Sequence, residues 1–234
     1  MSPPDRSPSQ ARAVLLDAGG TLFFERPTRY EVYGAAARDR GVDVSDVEMK
    51  TRMREALEAL PREFEGSFRF TEPWFRAFIE LVFGALRFRG NWEELSRHLL
   101  DTFRDGPIYH PFSDTRAAMS NISGMGIPIA VVSNWGPPLP AILGRLGLGR
   151  YVDVIVTSAV VRMEKPEPAI FHRAAAALRV PIDACLHVGD RLDNDLDGAR
   201  TAGADARLID REGRRPDHPD RIASLAEISA LVAR

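Results

Sequence analysis

The chain has 234 residues, 44% hydrophobic and 27% charged, a profile that excludes a disordered or collagen-like chain and suffices for a full core plus a small second domain. The formal net charge of -2 and pI of about 6.2 exclude the basic footprint of a nucleic-acid binder and an electrostatic membrane anchor, so the expected partner is a small molecule. The one cysteine, Cys185, cannot close an internal disulfide and sits in the apolar run ACLHV, which reads as a core thiol in a reducing cytoplasm.

Residues 1–12, MSPPDRSPSQAR, are rich in Pro, Ser and charge, lack the apolar stretch of a signal peptide, and read as a flexible tail. The run AVLLD at 13–17 reads as a first strand. Residues 25–106 show no strand pattern. Helical segments are expected there over 28–41, 45–60, 72–86 and 91–103, with turn signals at Pro61 and at Arg89-Gly90-Asn91. The longest apolar run, FIELVFGALRF, is broken by Glu80 and is too short and polar to span a bilayer. Beyond it, IPIAVVS (127–133), VDVIVTS (152–158), ACLHVGD (184–190) and ADARLID (204–210) alternate with helices expected over 113–123, 138–146, 168–178 and 195–202, the last closed by Gly203. Nearly continuous apolar strands between amphipathic helices predict an α/β fold with a doubly wound parallel sheet. Residues 13–24 and 107–234 form that core, and 25–106 form an inserted all-helical cap domain.

Ligands of such a sheet bind beyond the carboxyl ends of the strands. Asp17, Ser133 and Asp190 stand at three of those ends, and Lys165, in RMEKPEPAIF, follows a fourth strand through a short loop. Taken singly, each acid or hydroxyl reads as a helix cap or turn residue. Lys165 and Lys50 are the two lysines among 31 basic residues, which sets Lys165 apart from the arginine-rich remainder.

The stretches DAGGTL, SN, EKPEP and GDRLDND, in this order and spacing, resemble the four motifs of the haloacid dehalogenase superfamily of hydrolases. The resemblance covers 12–24 and 107–210, and the helical block stands where that family inserts its cap. It implies a Rossmann-like core, a Mg²⁺ cofactor, a small phosphorylated substrate and an aspartyl-phosphate intermediate. Asp17 takes the nucleophile's place, splitting one hard displacement into two easier ones. Asp17, Asp190 and the Gly19 carbonyl take the places of metal ligands, with Asp195 as a ligand or outer partner, a set of oxygens that suits Mg²⁺. Ser133, supported by Asn134, and Lys165 take places at the phosphoryl group, where electrostatic stabilisation is the main lever. Gly19 and Gly20 permit a sharp turn that aims backbone N–H groups at phosphoryl oxygens. Asp193 and Asp197 read as decoration of the following helix.

One departure from the family pattern bears on the chemistry. Its phosphatases usually carry Asp two residues after the nucleophile as general acid and base, a contribution of about 10² to 10⁴ in rate; this chain has Gly19. Several readings stay open. The chain is a phosphatase for a good leaving group or one that borrows an acid, with His110 at the hinge as one source. It is a low-activity or non-catalytic phosphate-binding protein on a hydrolase scaffold. It is a 2-haloacid dehalogenase, although those lack the metal-binding acids that Asp190 and Asp195 retain here. Or it is a phosphonate hydrolase with Lys50 as Schiff base, on a segment that reads as an ordinary charged helix. Phe64, Phe68, Phe70, Trp74 and Phe75, interleaved with Arg62, Arg69 and Arg76, read as the cap's own core, and His187 reads as a satisfied core residue. The sequence carries no signal for oligomeric state.

Overall fold

The computed structural model describes residues 11–232. The expected tail lies outside them except for Ala11, which is buried, and Arg12, whose N–H donates to the Ala184 carbonyl at 2.8 Å. The described chain falls into two compact units, one of residues 11–24, 111–135 and 139–232, the other of Glu25–His110 with Gly136–Pro138.

The first unit is built on six parallel strands: β1 (Ala13–Leu16), β2 (Ile129–Ser133), β3 (Val154–Thr157), β4 (Cys185–Gly189), β5 (Asp205–Ile209) and β6 (Arg221–Ile222), in the order β6-β5-β4-β1-β2-β3. Every residue of β1, β2 and β4 is buried. Their nearly continuous apolar runs follow from a sheet covered on both faces, where no position needs to meet water. Leu15 stands opposite Ala130 on one side and His187 on the other. Ala130, Val132, Phe171, Ala174 and Ala199 join Leu15 in one buried cluster. The chain runs outward from β1 through β2 and β3, then crosses to β4 on the other side of β1. The reversal opens a crevice beyond the ends of β1 and β4.

Two features of this unit depart from the sequence reading. The helix expected over 195–202 begins as a π-helical turn, Leu192–Asp197, before the α-helix Gly198–Ala202, because Asp195 is drawn inward and bonds back to the Arg191 N–H at 3.0 Å. The two-residue strand β6 was not expected; it is held by pairing with β5 and by Arg221 Nε on Asp210 at 3.1 Å, contacts that leave no periodic pattern.

The second unit contains the helices Arg29–Arg38, Asp46–Ala59, Glu72–Ala85 and Trp92–Asp105. Thr28, Ser45 and Asn91 each cap their helix by accepting an N–H three residues on, Thr28 in a reciprocal box with Glu31. The unit is not wholly helical. Glu63–Phe64 and Ser67–Phe68 pair as a hairpin around Glu65 (φ 48°) and Gly66 (φ 77°), the double left-handed turn that such a tight connection demands. Strands of two residues are too short to show alternation. Phe68 and Trp74 are buried, Trp74 stacks on Phe78 with centroids 5.5 Å apart, and its indole N–H donates to the Pro61 carbonyl at 2.8 Å, so these aromatics form the unit's core. Among the described residues no helix is long and apolar enough to cross a membrane.

Leu15 is fully buried in the central strand. Leu15→Ala is expected to destabilise the protein by about 2–5 kcal/mol through lost transfer energy and the cavity left behind, read from urea unfolding followed by far-UV circular dichroism.

Candidate active site

The sheet itself places the first carboxylate. The Asp17 N–H donates to the Val188 carbonyl at 2.9 Å, carrying the β1–β4 ladder one residue past the strand. The chain then turns tightly, with the Ala18 carbonyl accepting the Leu22 N–H at 2.8 Å. Gly20 is required twice over: its φ is +80°, and a Cβ there would lie 2.5 Å from Asp190 Oδ2. Its N–H, expected to face a phosphoryl oxygen, instead donates to the Phe23 carbonyl at 2.8 Å as part of the turn. Gly20 therefore serves the site through its bare Cα against Asp190.

Lys165 joins Asp17, just past the end of β1, to Asp195 in the π-helical turn. Its ammonium lies 2.6 Å from Asp17 Oδ1 and 2.5 Å from Asp195 Oδ1, and the side chain is 3% exposed. The Ser133 hydroxyl, at the end of β2, hydrogen-bonds the Asp17 carboxylate. Asn134, its neighbour, is turned to the Lys165 main chain: Nδ2 donates to the Lys165 carbonyl at 2.9 Å and Oδ1 accepts the Lys165 N–H at 2.8 Å. Asn134 thus fixes the backbone from which the ammonium reaches inward.

Asp195 has partners on both oxygens. Oδ1 also meets His187 Nε2 at 3.0 Å, and Oδ2 accepts the Arg191 N–H at 3.0 Å. Room for it is made by Gly189, where a Cβ would fall 2.2 Å from Asp195 Cγ. His187, read from the sequence as a core residue, is fully buried, packed edge-on against Phe171, and the site residue that the sequence reading missed. The available signal was a lone polar side chain within an otherwise apolar strand. Asp193 stays outside this cluster, exposed and 3.5 Å from Arg191.

Asp17, Asp190 and Asp195 present carboxylate oxygens within 4.8 Å of one another. With one lysine among three carboxylates, the ionised cluster carries two net negative charges. Burial, with Asp195 close by, pushes the Asp17 carboxyl above its ordinary range despite Lys165. Burial, then the charges of Asp17 and Asp195, push Asp190 up to about 7. Asp195 goes the other way: burial opposes its ionisation, but Lys165 and His187 outweigh it and hold the carboxyl low. For Lys165, burial alone would release the proton, and Asp17 and Asp195 more than offset it.

Position 19, where the family pattern places an acid, is filled from elsewhere. A Cβ on Gly19 would lie 3.0 Å from Trp135 Cζ3, and this indole stands edge-on to Phe23 with centroids 5.6 Å apart. Of the other residues singled out by sequence, His110 Nε2 lies 3.2 Å from the Arg26 carbonyl, and Lys50 is exposed with its ammonium 5.4 Å from the centre of the Tyr30 ring. Cys185 is buried, its thiol pushed up to about 11 by burial.

A family model described as haloacid dehalogenase-like hydrolase matches residues 11–203, and the chain belongs to that family. Haloacid dehalogenase-like hydrolase domain-containing protein 3 of Danio rerio is 28% identical over 215 residues, 89% of each chain. Phosphoserine phosphatase of Thermus thermophilus is 29% identical over 244 residues, covering 93% of this chain and 97% of that one. The crystal structure of a HAD phosphatase from Thermococcus onnurineus matches with a TM-score of 0.67 and 27% identity over 94% of this chain and 97% of that one. The chain is thus a hydrolase of this family with phosphatases among its relatives.

Removing the ammonium leaves two buried carboxylates facing each other. Lys165→Met is expected to cost about 3–5 kcal/mol of stability, the penalty for breaking a buried ion pair from one side, measured by urea unfolding at neutral pH. Asp190 adds a pH dependence. Its proton is held more tightly in the folded than in the unfolded chain, so its contribution to stability is present below the unfolded value and lost as pH rises from about 4 towards 7. In magnesium-free buffer containing a chelator, Asp190→Asn is expected to raise Tm clearly at about pH 7.5 and hardly at about pH 4. Equal shifts at both, read by scanning calorimetry, would contradict this.

Proposed function

We propose that the chain is a magnesium-dependent cytoplasmic phosphatase that acts on a small phosphorylated metabolite through an aspartyl-phosphate on Asp17. The observation that carries this reading is the Lys165 ammonium held between Asp17 and Asp195 inside a buried cluster that is still short of positive charge. A scaffold used only for binding has no chemical need of both a lysine-held carboxylate and a second acid whose ionisation is opposed by its neighbours.

The donor set fits Mg²⁺, which favours a few hard oxygens completed by water and substrate. Asp17, Asp190 and the Gly19 carbonyl would hold the ion, and its charge would offset the repulsion between the carboxylate and a phosphoryl dianion. Asp195, with both oxygens already accepting hydrogen bonds, is better suited to orient Lys165 than to bind the ion directly. In the first step an Asp17 oxygen forms a bond to phosphorus as the ester P–O bond breaks and the alcohol oxygen departs with its electron pair. Lys165 and Ser133 stabilise the charge spread over the phosphoryl oxygens. Water then attacks the same phosphorus, releasing inorganic phosphate and restoring the carboxylate.

The indole of Trp135 near position 19 gives the departing oxygen no proton. Esters with a weakly basic leaving group are therefore the substrates this arrangement turns over best. Phosphate release from p-nitrophenyl phosphate is expected to require Mg²⁺ and to fall to background in Asp17→Asn. No release from the wild type in Mg²⁺ would move the reading to a phosphate-binding protein, and metal-independent chloride release from 2-chloropropionate would move it to a dehalogenase.

A further inference from the structure

A cleft of about 410 Å³ in the α/β unit has Gly20 and Asp190 among its walls, together with Phe24, Phe112, Arg214 and Arg215. Its size falls in the range of small-molecule sites. Phe24 and Phe112 pack together with centroids 5.1 Å apart, giving the cleft an apolar wall. The arginines stand on the loop that follows β5, and the loop is built rather than loose. Asp210 accepts the N–H groups of Arg214 at 2.9 Å and Arg215 at 2.8 Å, and the Arg221 Nε at 3.1 Å. Gly213, with φ +65°, turns the chain between them.

The charges lining the cleft are unequally committed. Arg211 is spent on structure: it pairs with Asp114 at 3.0 Å, donates to the Thr21 carbonyl at 2.7 Å, and lies 3.8 Å above the centre of the Phe112 ring. Asp210 is spent on the loop. Arg214 pairs with Glu212, both largely exposed. Among the described residues the Arg215 guanidinium has no ionic or hydrogen-bonding partner, and Arg215 lines the same cleft as Asp190. The cleft thus has among its walls an acid of the proposed reaction centre, an arginine whose guanidinium is uncommitted, and an apolar aromatic pair.

We propose that this cleft holds the non-transferred part of the substrate and that Arg215, assisted by Arg214, binds a second anionic group on it. The substrate class is then a phosphate monoester with a carboxylate or second phosphate on its carbon skeleton, an assignment that rests on the phosphatase reading above. Arginine suits this task because its planar fork matches both anions and its charge is permanent.

The test is competition against hydrolysis of p-nitrophenyl phosphate in the full-length protein, using a pair matched in skeleton: 3-phosphoglycerate, with a carboxylate, and glycerol 3-phosphate, without one. In the wild type 3-phosphoglycerate is expected to inhibit at about tenfold lower concentration, the scale of one charge-assisted hydrogen bond. Arg215→Gln should bring the two inhibition constants within about twofold of each other, and Arg215→Lys should restore part of the difference. Equal inhibition in the wild type, or a preference that survives Arg215→Gln, overturns the assignment while leaving the phosphatase reading intact. Failure of the wild type to turn over p-nitrophenyl phosphate at all overturns both.

Discussion

The ammonium of Lys165, buried between Asp17 and Asp195, is the interaction around which the α/β unit is arranged. Taking such ions out of water costs several kcal/mol each, and the cost is offset only where partners are close and well placed. Here the oxygens lie 2.6 Å and 2.5 Å away. Each neighbouring departure from regular structure serves that placement. Asn134 clamps the Lys165 main chain on both its N–H and its carbonyl. Gly189 leaves out the Cβ that would strike Asp195. The π-helical turn at Leu192–Asp197 directs Asp195 inward, where His187 and the Arg191 N–H occupy its remaining capacity.

The same arrangement leaves the cluster negative when its acids are ionised. A lysine that neutralised every carboxylate would leave no place for a divalent ion. One lysine against three acids leaves Asp190 short of a counter-charge, visible in a carboxyl pushed up to about 7 by burial and by Asp17 and Asp195. At position 19 the glycine has no acid to offer, and the indole of Trp135 stands beside it. In the proposed phosphatase reaction, stabilisation of charge by lysine, hydroxyl and cation would take the place that proton transfer holds in the usual family pattern.

Much of this was legible before any coordinates. The five longer strands are apolar runs because both faces of the sheet are covered, and such runs stand out against polar loops. The four helices of the second unit fall on the four segments read as helical, divided by the turn signals at Pro61 and Arg89-Gly90-Asn91. The sequence singles out Asp17, Ser133 and Asp190 at strand ends and Lys165 after a fourth strand, and it is the ordered likeness of their stretches to the family's four motifs that sets them apart from helix caps and turn residues. Smaller elements escaped: β6 and the hairpin at 63–68 have two-residue strands, below the length at which periodicity exists.

The contacts inside the site were of another kind. His187 looked like a core residue, the Gly20 N–H looked available to a ligand, Asn134 looked like a second hydrogen-bonding group for substrate, and nothing marked Trp135 as the neighbour of Gly19. The Gly20 N–H is taken up by its own turn and His187 meets Asp195 eight residues on, but the contacts of Asn134 and Trp135 depend on which distant segment lies alongside, and that is settled by the order of strands in the sheet. Apolar periodicity and capping are properties of adjacent residues, so the chain's own text carries them. The meeting of Lys165 with Asp17, 148 positions apart, comes about only when β4, β1 and β2 lie side by side and the crossover loop turns back over their ends.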